Sequence, residues 1–274
     1  MGTSCPDHFL RTKIQPLIIP LKPDTDATNV DLLKKELSPS FENYRRIYKE
    51  YYEACTHPNS PPMRDPNPVI LLYPGVGMFS FAKNKQTARV AAEFYSNAIN
   101  VMRGAEAISS YTALSRQEAF NIEYWLLEEA KLQRMPKEKV LSRKVALVTG
   151  AGGGIGKAIA NKLLAEGAHV VFSDISLERL QENTAHLNTD QASYVVCDVT
   201  QETSIRKALA HTCSYFGGVD IIVHSAGLAI SKPLAETQEK DWDLLQDVLV
   251  KGQFELAKQT VEVMRKQNLG GNIV

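Results

Sequence analysis

The sequence predicts an α/β protein whose second half is a doubly wound parallel sheet, and three observations carry that prediction. Short β-branched runs, almost wholly apolar, recur as KVALV, HVVFSD, SYVVCD and DIIVHS. Amphipathic helical patterns separate them, and a glycine-rich turn joins the first run to the first helix. Strands apolar on both faces belong in parallel sheets covered by helices. Strands alternating with helices are βαβ units, which wind a parallel sheet.

The elements follow in order. Ser40 is placed to cap a helix over FENYRRIYKEYYEACT, ended by the Pro-rich loop HPNSPPMRDPNP. VILLYPGVGMFSF reads as a hairpin turning at Pro74-Gly75. NKQTARVAAEFYSNAINVMRG reads as one helix and RQEAFNIEYWLLEEAKL as another, opened by a capping box of Ser115 and Glu118. This first region, residues 1–131, is an α/β layer that periodicity alone does not name. A charged, Pro-containing stretch, residues 132–143, reads as a linker. Beyond it the runs at 144–148, 169–174, 193–198 and 220–225 are strands. IGKAIANKLLAEG, SLERLQENTAHL and QETSIRKALAHTCSYFG are the helices between them, with Gly167 and Gly217 at helix C-termini. EKDWDLLQDVLVKGQFELAKQTVEVMRKQ reads as one long helix and GGNIV as a fifth strand.

Composition narrows the function classes. The 274 residues are 44% hydrophobic, with 31 basic and 31 acidic side chains, so no charge excess argues for nucleic acid or an anionic membrane. No apolar run approaches the roughly 20 residues that span a bilayer. The N-terminal MGTSCPDHFLRTK lacks the basic-then-apolar pattern of a secretory signal. Pro6 stands where a myristoylation motif wants Ser or Thr. Cys5, Cys55, Cys197 and Cys213 form no CxxC pair, which points to reduced thiols and a cytoplasmic protein.

The strongest motif is VTGAGGGIG, Val148 to Gly156, set between a strand and a helix. Backbone N–H groups at a helix N-terminus hold a pyrophosphate, and side chains there would keep it away. Gly150 permits the tight turn, Gly154 the close approach and Gly156 the packing of helix on strand. Asp174 ends the second strand. Its carboxylate either accepts from the adenosine ribose hydroxyls, which favours NAD over NADP, or caps the following helix. No Lys or Arg lies in the glycine loop or at Ile175 and Ser176. Asp198 either accepts from the adenine amino group or caps its helix. HSAG, His224 to Gly227, ends the fourth strand, where the ligand crevice of such a sheet lies; His224 reads as structural rather than as a base.

TGAGGGIG, SD, CDVT, SAG and DWD…VLVKGQF, in this order and spacing, resemble the short-chain dehydrogenase/reductase family, over about Lys144 to Val274. The resemblance implies a Rossmann domain, a nicotinamide cofactor, a small-molecule substrate and a homo-oligomer. It marks Gly150, Gly153, Gly154, Ile155, Gly156, Asp174, Asp198, Val199, Ser225, Ala226 and Gly227 for contact with NAD. The first half, through PVILLYPGVGMFSFAKNKQTARVAAEFYSNAINVMRGAE and YTALSRQEAFNIEYWLLEEAKLQ, resembles the later part of a class II aldolase-type domain. The pairing is similar to the bifunctional rhamnulose-1-phosphate aldolase/alcohol dehydrogenase family of bacterial rhamnose breakdown, in which the dehydrogenase acts on lactaldehyde.

Three departures from the family patterns matter. The family's catalytic Ser and Tyr-x-x-x-Lys follow the fifth strand, so with Val274 the last residue none is expected here. The reading is therefore of an internal, inactive piece of a longer enzyme, with an exposed strand edge prone to self-association. Tyr194 and Tyr215 fall on a strand and a helix away from the crevice. Leu249 stands where the family carries an Asn that organises a proton relay, and Ser225 replaces a second Asn. In the aldolase half no His-x-His pair occurs, and Pro74 takes the place of a third His, so no metal site is expected. His8 and His57 read as loop residues rather than ligands, with His8 the one that could line a substrate site; Arg11 and Lys13 beside it either bind a phosphate or are simply solvated.

Overall fold

The computed structural model describes residues 8–20 and 29–274; Cys5 and Asp7 lie outside the described residues. Two units form, with the division between Lys137 and Glu138.

In the second unit five parallel strands make one sheet: β4 (Val145–Thr149), β5 (His169–Asp174), β6 (Ala192–Val196), β7 (Ile221–His224) and β8 (Asn272–Ile273), the labels β1 to β3 belonging to the first unit. Their order is β6-β5-β4-β7-β8. The chain thus winds outward from β4 in one direction and then in the other, which opens a crevice at the carboxyl ends of β4 and β7. The helices between the strands are α6 (Gly154–Ala165), α7 (Leu177–Thr184) and α8 (Glu202–Phe216). Two apolar clusters cover the two sheet faces. Leu147, Val171 and Ile222 pack with Ile205, Leu209 and Leu256 in one; Val148, Val170 and Phe172 pack with Ala160 and Leu180 in the other. Alternate residues of the same strands feed opposite clusters, which is why the runs are apolar throughout. Gly217, at φ 91°, ends α8 in the left-handed conformation that glycine adopts without strain.

The long helix before β8 is not continuous α-helix. It runs as α9 (Glu239–Gln246), a π-helical turn over Asp247–Lys251 and α10 (Gly252–Gln267). The wider turn carries Leu249 and ends where the Gly252 N–H is donated to Asp247 O.

The first unit holds a three-stranded sheet, β1 (Leu17–Ile18) parallel to β2 (Ile70–Tyr73), with β3 (Gly77–Ser80) antiparallel to β2. The β2–β3 hairpin turns at Pro74 to Val76, as read from the sequence. Around it lie α1 (His8–Thr12), α2 (Val30–Cys55), α3 (Lys85–Ile108), α4 (Arg116–Glu123) and α5 (Leu126–Gln133).

Three expectations are corrected here. Ser40 caps no helix: α2 starts at Asn29, whose side chain accepts from Leu32 N, and runs through Pro39. Leu32, Leu33, Leu37 and Phe41 extend an apolar face along it, and burying that face outweighs the backbone bond lost at Pro39. Ser40 instead donates its hydroxyl to Glu36 O at 2.7 Å. The helix after Ser115 keeps its capping box but breaks at Tyr124, where Trp125 turns extended (ψ 136°) to start α5.

Lys13 is the third. It is buried rather than solvated, at φ 62°, with its ammonium 3.8 Å above the Tyr48 ring and donating to Asp65 O. Beside it Glu123, only 1% exposed, accepts from the Tyr48 hydroxyl at 2.6 Å and the Tyr51 hydroxyl at 3.1 Å. Arg64 donates to Glu123 O and lies over the Tyr124 ring. The centre of this unit is therefore a buried ionic and phenolic network packed within the cluster of Tyr48, Tyr51, Phe120 and Tyr124.

Candidate functional site

A cavity of about 530 Å³ opens at the crevice of the second unit. Its floor is where two loops meet. Gly150, at φ 67°, follows β4, and a Cβ there would lie 2.6 Å from Ser225 O and 2.7 Å from Ala226 N in the loop after β7. Gly156 comes as close: its Cβ would be 2.3 Å from Gly150 O. Gly154 differs, because a Cβ there meets nothing within 4 Å and would project into open space. The three glycines thus divide into two that the backbone packing requires and one whose bareness serves the cavity.

All eleven residues marked in the sequence line this cavity: Gly150, Gly153, Gly154, Ile155, Gly156, Asp174, Asp198, Val199, Ser225, Ala226 and Gly227. Asp174 does not cap α7; Ser176 does, its hydroxyl accepting from Arg179 N. Asp174 Oδ2 instead accepts from Gly152 N and Oδ1 from Ser176 N, each at 3.0 Å. The carboxylate so ties the glycine loop to the end of β5, and a Cβ on Gly152 would strike it at 2.6 Å. Two of its roughly four lone-pair positions stay free for a ligand. Asp198 likewise caps no helix, since α8 begins after Gln201. Its Oδ1 accepts from the N–H and hydroxyl of Thr200.

Sequence reasoning missed two residues that hold these loops and one that lines the cavity. Thr149, 2% exposed, accepts through Oγ1 from Ser225 N and Ala226 N at 3.2 Å. Asn183 reaches up from α7 and donates to Ala151 O and Gly152 O at 3.0 and 3.1 Å. Arg179 lines the cavity five residues beyond Asp174. The first two are polar residues at the ends of β4 and α7 without a local pattern, visible only once the chain is folded.

His224 sits at the end of β7 with Nδ1 3.3 Å from Thr149 Oγ1. Burial pushes its imidazole below the ordinary range. The Val248 backbone opposes that fall in part, and Nε2 has no hydrogen-bond partner among the described residues. A neutral imidazole in this setting supports a structural part. Replacing Thr149 by Val leaves two backbone donors of the Ser225–Ala226 turn unmet. The expected cost is about 1–3 kcal/mol, read as a lower urea midpoint with unchanged m-value.

In the first unit no group of three or more His, Cys, Asp or Glu able to hold a metal occurs among the described residues. His8 is buried and stacked on Phe94 at 4.5 Å between centroids. His57 lies near Gln117 and Asn121. The residues described do not fit the zinc site that an aldolase resemblance implies, and no aldol step follows from them.

Residues 1–132 match the family described as aldolase class II, second domain, and residues 144–274 match the short chain dehydrogenase family. The chain therefore joins an aldolase class II domain to a short-chain dehydrogenase domain. The uncharacterized oxidoreductase YuxG of Bacillus subtilis (strain 168) is 36% identical over 280 aligned positions, which take in 100% of this chain and 40% of that protein. An uncharacterized oxidoreductase of Staphylococcus aureus (strain USA300) is 39% identical over 131 residues, 48% of this chain and 57% of that one. A solved short-chain dehydrogenase/reductase, glucose/ribitol dehydrogenase of Brucella melitensis, aligns over 46% of this chain and 55% of its own, at 31% identity and a TM-score of 0.45. The chain thus spans between two fifths and three fifths of the length of these relatives.

Proposed function

We propose that the crevice of the second unit binds NAD and that the chain belongs to an oxidoreductase moving hydride between NAD and a small alcohol or aldehyde. The observation that carries this reading is the convergence of the bare glycine turn and the Asp174 carboxylate on one cavity of about 530 Å³. The space in front of Gly154 admits a pyrophosphate beside the N-terminus of α6, where the helix dipole favours negative charge. Asp174 is positioned to accept from the ribose hydroxyls with its remaining lone pairs. Val199 and Ser225 to Gly227 would confine the adenine and nicotinamide ends. Bound NAD would supply the hydride acceptor; this chain's own residues bind and orient it.

The finer reading follows the domain pairing. A class II aldolase-type domain followed by a short-chain dehydrogenase domain supports an enzyme of sugar breakdown in which a rhamnulose-1-phosphate aldolase-type domain is fused to a dehydrogenase acting on lactaldehyde. The catalytic Ser and Tyr-x-x-x-Lys would then lie in further sequence, in keeping with the greater length of the relatives. Free thiols at Cys55, Cys197 and Cys213 support a cytoplasmic setting, and among the described residues no helix is long and apolar enough to cross a membrane. Trp242, Val250 and Phe254, exposed at 60%, 57% and 60% along α9 to α10, support a homo-oligomer.

One observation favours a second reading, a non-catalytic dinucleotide-binding module. Leu249 stands in the π-helical turn with its side chain 3.2 Å from the position of a Cβ on Gly227, so the place of a relay Asn is apolar. The two readings separate in a turnover assay. The longest protein encoded with this chain, mixed with lactaldehyde and NAD or NADH, should change NADH absorbance; saturable NADH binding without turnover would favour the module.

A further inference from the structure

A second cavity, of about 390 Å³, lies wholly within the first unit, and nothing in the dinucleotide reading uses it. It forms between the Pro-rich loop after α2 and the break that separates α4 from α5. His57, Asn59 and Ser60 line it from the loop; Phe120, Asn121 and Trp125 line it from the helices and the break. Phe120 stacks on Tyr124 at 4.5 Å between centroids, and both are buried, so the inner wall is a fixed aromatic surface. Trp125, in contrast, is 53% exposed. Its side chain gives no cap to α5 and makes no hydrogen bond among the described residues. A large amphipathic ring at the mouth of an aromatic-walled cavity is the arrangement of a small-molecule site.

The polar groups around this wall are only half used. Gln117 donates to Asn121 Oδ1 at 3.0 Å and to Cys55 O at 3.1 Å, which fixes the Asn121 amide by its oxygen. The Asn121 amide nitrogen then has no partner among the described residues, and neither has the Asn59 side chain. Ser60 Oγ accepts from His57 N at 2.9 Å and keeps its own proton to donate. No Lys, Arg, Asp or Glu lines the cavity. Arg64, which lies over Tyr124, is turned to Glu123 O and to the Glu129 carboxylate at 3.4 Å. The first turn of α5 carries Glu128 and Glu129, which offset the pull of a helix start on an anion. The cavity thus lacks the cations that hold a phosphate or a carboxylate. What it offers is an aromatic platform with uncharged donors and acceptors from two separate elements. A sugar ring matches that chemistry, with apolar C–H groups on one face and hydroxyls around its rim, each both donor and acceptor. We propose that this cavity binds a neutral monosaccharide, stacked on Trp125 and hydrogen-bonded by Asn121, Asn59 and Ser60. The site stands apart from the dinucleotide crevice and from any aldol step, because a phosphorylated sugar is what it turns away.

The test reads Trp125 itself. The chain holds two tryptophans and Trp242 lies in the other unit, so Trp242→Phe leaves Trp125 as the only indole. Glucose, galactose, mannose and rhamnose are each titrated into that full chain to about 50 mM, well past a Kd of about 1 mM. At least one should change the Trp125 fluorescence saturably and shield it from acrylamide quenching. Glucose 6-phosphate, mannose 6-phosphate and inorganic phosphate should do neither. Calorimetry with the sugar that binds should show affinity about tenfold or more weaker in Trp125→Ala and in Asn121→Ala. Both side chains are exposed, so the melting curves should match wild type. If a variant melts early, the shielding of the unaltered Trp125 decides alone. No saturable response to any of the four sugars overturns the proposal, as does tighter binding of a phosphorylated sugar or of adenosine. Sugar affinity that survives both substitutions in folded chains places the ligand elsewhere and overturns it too. None of these results bears on NAD binding in the second unit.

Discussion

Gly150→Ala is expected to abolish measurable NAD binding and to destabilise the second unit. The added methyl would sit 2.6 Å from Ser225 O on a residue held at φ 67°. Neither obstacle yields to a side-chain rotation, because the colliding atoms are backbone. Overpacking of this kind costs about 1–3 kcal/mol, and a left-handed non-glycine residue adds on the order of 1 kcal/mol. The β4 and β7 loops would be forced apart, and the crevice floor is made of that contact. Gly156→Ala should behave alike, with its Cβ 2.3 Å from Gly150 O. Gly154→Ala is the informative contrast, since nothing lies within 4 Å of its Cβ. Its melting curve should match wild type while NAD affinity falls about tenfold or more, roughly 1.4 kcal/mol. Equal affinity for Gly154→Ala and wild type would place the pyrophosphate elsewhere.

Glu123→Ala should be the most damaging single change in the first unit. It removes the carboxylate that accepts from Tyr48 and Tyr51 and leaves Lys13 buried without its counter-charge. Leaving the hydroxyls of Tyr48 and Tyr51 buried without their acceptor costs about 1–3 kcal/mol each. Glu123→Ala with Lys13→Met should recover part of that loss, because the unpaired charge leaves too; additive losses in the double variant would contradict the coupling.

The same network predicts a pH dependence. Burial lowers Lys13 from 10.5 to about 8, with Glu123 and Asp65 opposing the fall. The unfolded chain therefore binds the extra proton between those two values, and stability should rise with pH from about 8 upward. The slope from this group is at most about 1.4 kcal/mol per pH unit. Burial holds Tyr44, Tyr48 and Tyr51 well above their ordinary 10.0, so above that pH the unfolded tyrosines ionise first and stability falls again. Urea unfolding of the first unit between pH 8 and 10 should show the rise in wild type and a weaker one in Lys13→Met. A flat profile in both would show that burial does not lower Lys13 in the folded chain.

Much of the second unit was legible because its signals are local. Continuous apolar runs name buried parallel strands, and the glycine spacing between strand and helix names the turn. Asp174 was legible by position alone, at the end of the second strand. What escaped was settled by partners distant in sequence. Thr149 and Asn183 hold the loops through contacts 76 and 32 residues away, and neither residue type announces that task. Lys13 looked like a solvated cation until Tyr48 and Asp65 closed over it. Ser40 looked like a helix start, yet the apolar stripe of α2 carries the helix through it and through Pro39. The π-helical turn has no signal of its own in the long amphipathic pattern, since one extra residue per turn shifts the stripe without erasing it.

The central claim is that the Asp174 carboxylate and the bare glycine turn together make a dinucleotide site. Calorimetric titration of NAD into the wild-type chain and into Asp174→Ala, each first shown to melt cooperatively, tests it most directly. The account predicts saturable binding at one site in wild type, weakened about tenfold or more when the two ribose hydrogen bonds are lost. Equal affinity in the two folded chains, or no binding in wild type, would contradict it.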